Sequence, residues 1–324
     1  MYDKFYRLSG IPFLLTPDTR FFFGSTGHSR AISHLVYGLA QEEGFIVITG
    51  EVGAGKTTLV EQLWSQLDRN TYVIARVVTT QVSGDDLLRL AMANFGLGET
   101  PGTDKATLLR RFEHMVRDQR RAGRRCLLVV DEVQNLSLAA LEELRMLSNI
   151  TVDGRASVQT ILLGQPQFRP ILASRDVEQL RQRVLASYHL GPLSEAETRL
   201  YIEHRLKMVG WEGNPHWEEE AFAAVHRHTG GIPRRINTLC SRVLLYGSIE
   251  EAHTVSGAMV DTTAAELDQD LGAGLAPSLG FADTAAAAQD DLMRRIESLE
   301  HMAARQERMF RRVLDLLGTT EASR

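Results

Sequence analysis

Apolar residues in the first two-thirds of the chain gather into short unbroken runs bounded by glycine or polar turns. Phe45-Ile46-Val47-Ile48-Thr49, Tyr72–Val78, Cys126–Val130 and Val158–Leu163 are the strand candidates. Runs that are apolar throughout belong to strands covered on both faces. Between them, residues 84–95, 104–122 and 138–149 space their apolar positions as helices do. Strands alternating with helices predict a parallel sheet with helices on both faces, an α/β domain over residues 44–190. Ahead of it, residues 1–43 mix Phe5, Tyr6, Phe13 and Phe21-Phe22-Phe23 with proline and glycine. So many aromatic side chains do not stay in water, and this segment is expected to pack onto the core.

Beyond about Gly191 the strand signal stops. Ser194-Glu195-Ala196-Glu197 is a capping-box pattern, opening a helix that runs through Lys207. A second helix, about 217–229, ends at Gly230-Gly231, where glycine takes the left-handed conformation that closes a helix. A third starts at Pro233, a favoured first-turn residue, and reaches about Tyr246. Residues 191–267 therefore form a small helical domain. Residues 268–288 are rich in Gly, Ala, Pro and Asp without periodicity and suit a flexible linker. In 289–318 the apolar positions Leu292, Ile296, Leu299, Ala303, Phe310, Val313 and Leu317 make the seam of an amphipathic, coiled-coil helix.

A length of 324 residues exceeds what one core usually holds, which agrees with two domains. The hydrophobic fraction of 44% and charged fraction of 24% exclude global disorder and fibrous repeats. No apolar stretch approaches the ~20 residues that cross a bilayer, and the N-terminus has no signal-peptide pattern. Only Cys126 and Cys240 are present, far apart, which excludes a disulfide scaffold and a zinc ribbon and fits a reducing cytoplasm. A net charge of −5 gives no general attraction to nucleic acid.

The chemistry begins at Gly50-Glu51-Val52-Gly53-Ala54-Gly55-Lys56-Thr57, which satisfies G-x-x-x-x-G-K-[ST] between a predicted strand and a predicted helix. Its glycines let the backbone curl so that successive N–H groups face a phosphate at the helix's positive end. Lys56 brings a point charge to the β- and γ-phosphates, and the Thr57 hydroxyl is a Mg²⁺ ligand. Thr58 belongs to the same binding set. The apolar run Cys126–Val130 ends in Asp131-Glu132, a Walker B pattern. Asp131 is the metal partner, and Glu132 orients and activates the attacking water. Two carboxylates rather than one argue for hydrolysis over passive binding, with ATP and Mg²⁺ as the implied ligands.

A P-loop α/β domain with Asp-Glu, followed by a three-helix lid whose last helix opens with Gly-Gly-Ile-Pro-Arg-Arg-Ile-Asn, resembles the AAA+ ATPases. Phe5-Tyr6-x-Leu8, Pro12-Phe13-x-Leu15-Thr16-Pro17-Asp18, Phe22-Phe23-x-Ser25 with His28, and Tyr37-Gly38-Leu39 resemble the general secretion pathway protein A group. Gly44 through Gly53 is most similar to the exosortase (PEP-CTERM)-associated ATPases of that group. The resemblance covers about residues 1–267. It implies that Arg234 is the sensor 2 arginine of the lid, with Arg235 the lesser candidate, and that Gln165 is the sensor 1 residue. It also implies that Arg183 is the arginine finger presented to a neighbouring subunit, with Arg181 its rival. Thr79 or Thr80 would restrain Glu132.

The resemblance further implies a homo-oligomer with ATP at subunit interfaces, cytoplasmic or peripheral at the inner membrane, serving a secretion, protein-sorting or polysaccharide-export assembly. A second reading is a DNA-binding regulator of the transposition type, for which Arg110, Arg111, Arg117, Arg120, Arg121, Arg124 and Arg125 offer a basic run. A solvated helix face accounts for the same run. A third reading, a nucleotide-binding scaffold without turnover, is disfavoured by the intact set of Lys56, Asp131 and Glu132.

Overall fold

The computed structural model describes residues 2–272 apart from 17, 69, 79–83, 99–101 and 153. Thr79, Thr80, the heptad seam of 289–318 and all but the first residues of the expected linker lie outside the described residues.

Helix α1 (Tyr2–Tyr6) leads to α2 (Thr26–Ala40), β1 (Phe45–Gly50), α3 (Lys56–Gln66), β2 (Tyr72–Val78), α4 (Gly84–Met92), α5 (Lys105–Arg121), β3 (Arg125–Asp131) and α6 (Leu138–Ser148). A short hairpin, β4 (Thr151–Val152) and β5 (Arg155–Ala156), precedes β6 (Val158–Gly164), α7 (Phe168–Ala173), α8 (Glu178–Arg181) and β7 (Val184–Leu190). Then follow α9 (Glu195–Lys207), β8 (His216–Trp217), α10 (Glu219–Thr229), α11 (Pro233–Ile249), β9 (Thr254–Val255) and α12 (Gly257–Gly272).

The central sheet has five strands, all paired in parallel, in the order β2-β3-β6-β1-β7. Side chains of alternate residues enter opposite layers, as the two-residue period of a strand demands. Phe45, Val47, Leu128, Val130 and Leu162 pack against α4, α5 and α6. Ile46, Ile48, Leu127, Val129 and Leu163 pack against α2 and α3. Every residue of β1 and β6 is buried; β1 reads as an apolar run, whereas β6 also buries the polar Gln159 and Thr160. Strand β7 lies at the sheet's edge with alternating exposure and carries Ser187 and His189. An edge strand wetted on one side has no continuous apolar run, and the run criterion passes over it.

The helical unit has its own core, built by α9 to α12. It contains four long helices rather than the three expected, because α12 follows α11 after the small β8–β9 pair. That helix continues to Gly272, past the residue 268 at which the linker was expected to start. Glu266, Leu267 and Asp268 carry no helix breaker, and the glycine-rich composition begins only afterwards. The N-terminal aromatics divide between the two bodies. Tyr2, Tyr6, Leu8 and Phe13 enter the helical core, where the Tyr6 hydroxyl donates to the Ala252 carbonyl at 3.1 Å. Helix α2 instead lies against β1 and β7 of the sheet. Its Ala31, Leu35 and Leu39 are buried at four-residue spacing, a stripe blurred in the sequence by exposed Val36 and Tyr37.

Contact between α2 and β1 is closest at Gly38, where an added β-carbon would stand 2.5 Å from Ile46 Cγ1. Ile46 is fully buried in the sheet and has no room to yield. Gly38→Ala is therefore expected to lower the unfolding free energy by about 1–3 kcal/mol, the usual cost of overpacking. Denaturant unfolding followed by circular dichroism measures this; an unchanged midpoint would show that α2 moves freely on the sheet.

Candidate nucleotide-binding site

Strands β3, β6 and β1 are neighbours, and their C-terminal ends deliver Asp131, Gln165 and the 50–57 loop to one edge of the sheet. In open α/β sheets ligands bind at this edge. The loop curls as its sequence requires: Gly53 has φ 82° and Gly55 φ 97°, both left-handed. Neither position has space for a side chain. A β-carbon on Gly53 would lie 2.2 Å from Arg234 Cβ, and one on Gly55 would lie 2.8 Å from His28 Nε2. Lys56 is buried, and its ammonium donates to the carbonyls of Gly50 at 2.7 Å and Glu51 at 3.0 Å. Burial draws its pKa below the usual lysine value, against the opposing pull of Glu132, Asp131 and Glu51.

The acidic pair lies across from the loop. The Thr57 hydroxyl donates to Asp131 Oδ2 at 2.9 Å, and Arg76 from β2 reaches the same oxygen at 3.2 Å while also donating to Glu61 at 2.9 Å. Glu132 sits in left-handed backbone, φ 54°, an unusual conformation for a residue with a side chain. Two glutamine amides converge on its Oε2: Gln134 Nε2 at 2.5 Å and Gln165 Nε2 at 3.0 Å. The Gln165 backbone N–H donates in turn to Gln134 Oε1 at 2.9 Å. Asp131, Glu132 and Gln165 are thus tied into one constellation with Thr57.

The helical unit closes the site from above. The first turn of α11 rests on the loop, with the Arg234 N–H donating to the Gly53 carbonyl at 3.2 Å. A cavity of about 330 Å³ runs from Gly53, Lys56, Thr57, Thr58, Glu132 and Arg234 to an aromatic end formed by the N-terminal segment and α9. At that end the Arg205 guanidinium lies over the Phe21 ring, 4.7 Å from its centroid. Arg205 also donates to the Tyr201 hydroxyl at 2.9 Å, which donates to Asn237 Oδ1 at 2.9 Å.

The remaining arginines stand elsewhere. Arg235 is exposed and does not line this cavity. Arg183 immediately precedes β7, and its backbone carbonyl accepts from the Phe45 N–H at the start of β1. That is the opposite edge of the sheet from the phosphate loop. Its guanidinium is half-buried and donates to Ser148 Oγ at 3.2 Å, whereas exposed Arg181 donates to the Ala173 carbonyl at 3.0 Å.

The residue pattern did not single out Gln134, Arg76, Arg205 or His28 as site residues. Gln134 follows Glu132 by two positions and Arg76 is the single charge in an apolar strand, faint signals for each. His28 and Arg205 reach the cavity only through folding of segments distant in sequence.

The donor set suits a nucleotide and a divalent ion. The two glycines make a cradle that a β-carbon would fill, beside a lysine and a helix N-terminus. Thr57 and Asp131 present hard oxygen donors to each other, the ligand type that Mg²⁺ takes.

Comparison with known proteins agrees with this fold. The AAA domain family matches residues 39–172. General secretion pathway protein A of Aeromonas hydrophila is 36% identical over 259 residues, 79% of this chain. The chain spans 46% of that relative's length. Among solved structures, Cdc6p from Pyrobaculum aerophilum superposes with a TM-score of 0.64 at 15% identity, covering 85% of this chain and 74% of that one. The Aeropyrum pernix ORC2 protein in its ADPNP-ADP complexes gives 0.56 at 16% identity, covering 74% and 66% respectively. The A. pernix ORC1 protein in complex with DNA gives 0.56 at 16% identity, covering 80% and 70%. At such identities these structures speak to the fold, an α/β P-loop fold of the AAA type.

His28 provides a pH prediction. Burial pushes its pKa down to about 4, well below the ordinary 6.5, so the fold holds the neutral ring while the unfolded chain binds the proton. Stability from this group is present above pH 6.5 and is lost as pH falls toward 4. Between pH 7 and 4 the wild type should lose about 3 kcal/mol more stability than His28→Phe, as a pKa held at about 4 implies. Urea unfolding of both proteins across that range measures the difference; parallel curves would contradict the burial argument.

Proposed function

The chain belongs to the AAA+ P-loop proteins, in the group of General secretion pathway protein A, and we propose that it is a Mg²⁺-dependent ATPase that works as a homo-oligomer on a membrane-associated secretion or sorting assembly. The observation that carries this reading is the convergence of Asp131, Glu132 and Gln165 opposite one phosphate loop, with Asp131 bonded to its Thr57, beneath the first turn of α11.

In this mechanism the loop N–H groups and Lys56 bind the phosphates. A bound Mg²⁺, held by Thr57 and Asp131, would neutralise developing charge on them. Glu132 takes a proton from the attacking water as its oxygen bonds to the γ-phosphorus and the bond to the ADP oxygen breaks. Gln134 and Gln165 occupy one carboxylate oxygen of Glu132 and so orient the other. Arg234, which lines the cavity and whose N–H bonds to the loop, is in this reading the lid cation that responds to the terminal phosphate. Arg183, on the far edge of its own sheet, suits a role in a neighbour's site; exposed Arg181 is the rival.

The exosortase-type sequence around Gly44–Gly53 supports an exopolysaccharide or protein-sorting assembly as the client. Among the described residues no helix is long and apolar enough to cross a membrane, so attachment in this reading runs through a partner. The exposed arginines of α5, Arg110, Arg111, Arg117 and Arg121, favour a second reading in which the client is DNA. Polynucleotide-stimulated hydrolysis with steep salt dependence would decide for DNA, and co-purification with an inner-membrane component would decide for the assembly.

Lys56→Ala is expected to abolish tight ATP binding. Glu132→Gln should bind ATP yet hydrolyse it about 10²- to 10⁴-fold more slowly, because an amide accepts no proton. Turnover by Glu132→Gln at the wild-type rate would remove this residue from the chemistry.

Arg183→Ala should bind ATP normally but lose about 10³-fold or more in rate. Mixing it with Lys56→Ala should restore part of the activity, since some interfaces then join an intact loop to an intact arginine. Absence of rescue in demonstrably mixed oligomers transfers the role to Arg181.

A further inference from the structure

His28 is a buried imidazole, 6% exposed, on the first turn of α2. It lines the same cavity as Lys56 and Thr58, with Phe22 edge-on to its ring at 5.6 Å. Its Nδ1 lies 2.7 Å from Ser25 Oγ, and that oxygen also accepts the His28 backbone N–H at 3.2 Å. Ser25 is itself buried, and among the described residues its hydroxyl has no other acceptor. Were Nδ1 protonated, the serine proton would be buried without a partner, at a cost of about 1–3 kcal/mol. The hydroxyl therefore donates to Nδ1, and the ring proton resides on Nε2. Burial keeps the ring neutral near pH 7, so it carries one N–H and no charge.

That N–H has no hydrogen-bond partner among the described residues. It faces the phosphate loop, with Nε2 2.8 Å from the place a β-carbon of Gly55 would take. The residues beside Gly55 in such a loop are those that cradle the α- and β-phosphates. We propose that His28 Nε2–H donates a hydrogen bond to an α- or β-phosphate oxygen of the bound nucleotide, with Ser25 fixing the tautomer that makes it a donor. This rests on the nucleotide-binding reading above and adds to it a residue contributed by α2, outside the loop. A neutral donor strengthens the phosphate contact without placing a second cation against Lys56.

The test measures ADP and tripolyphosphate affinities of the full chain by calorimetry. His28→Phe, similar in size but without a donor, should weaken both by about 10- to 100-fold, the range for hydrogen bonds to charged groups. His28→Gln, which restores an N–H, should recover most of that loss. Imidazole ¹⁵N spectra of the wild type should show the Nε2–H tautomer, with the Nε2 signal moving when ADP is added. Unchanged affinity in His28→Phe, or an Nδ1–H tautomer in the wild type, overturns the proposal while leaving ADP binding intact. Weakening for ADP with tripolyphosphate unaffected overturns the phosphate assignment. Failure of the wild type to bind ADP would instead sink the nucleotide reading itself.

Discussion

Two glycines of the phosphate loop have no room for a β-carbon, and much of the site's architecture follows from what presses on them. Gly53 is covered by the first turn of α11, Gly55 by the imidazole of His28. Both residues take positive φ, the curl that lets a phosphate loop turn successive backbone N–H groups toward an anion. With Gly53 pressed by the helical unit and Gly55 by α2, the loop is shaped by elements far from it in sequence. Preorganisation of this kind lets a backbone bind anions without ordering itself at that moment.

The parallel sheet supplies the second requirement. Because β6 lies between β3 and β1, a residue just past its end sits between the loop and the acidic pair. Gln165 takes that place, and its amide and backbone both reach the Glu132–Gln134 turn. Glu132 is held in left-handed backbone, of order 1–3 kcal/mol above relaxed geometry for such a residue, and the surrounding bonds sustain it. Strain at this one position coincides with the carboxylate proposed to take the proton.

The sequence made the phosphate loop and Asp131-Glu132 visible because both depend on local order: strand, turn, helix, and strand, carboxylates. Strands β1, β3 and β6 were legible for the same reason, being buried on both faces, and β2, at the other edge, keeps a run that is apolar but for Arg76. Strand β7 was not, since a half-wetted edge strand mixes polar residues into its run. Helix α2 was hidden by Val36 and Tyr37 on its outer face, and α12 by its closeness to a glycine-rich tract. Site residues created by tertiary packing, such as His28 and Arg205, leave no local pattern. The helical unit was legible from its capping box, Gly230-Gly231 and Pro233, and the resemblance to a known family added the expectation that Arg234 and Gln165 act as sensor residues, which periodicity alone does not suggest.

The N-terminal segment is anchored twice, and to different bodies. Tyr6 is fastened to the helical unit through Ala252, while Gly38 fixes α2 against β1. The chain between these anchors supplies Leu14, Leu15, Thr16, Asp18 and Phe21–Phe23 to the cavity wall. Its far end is also stitched to α9, where the Thr26 N–H donates to Glu197 Oε1 at 2.8 Å. A rotation of the helical unit against the sheet would therefore pull on this strap and deform the aromatic end of the cavity directly. The wall at the cavity's aromatic end is at the same time a tendon between the two bodies, so a ligand seated there and their relative orientation would be mechanically coupled.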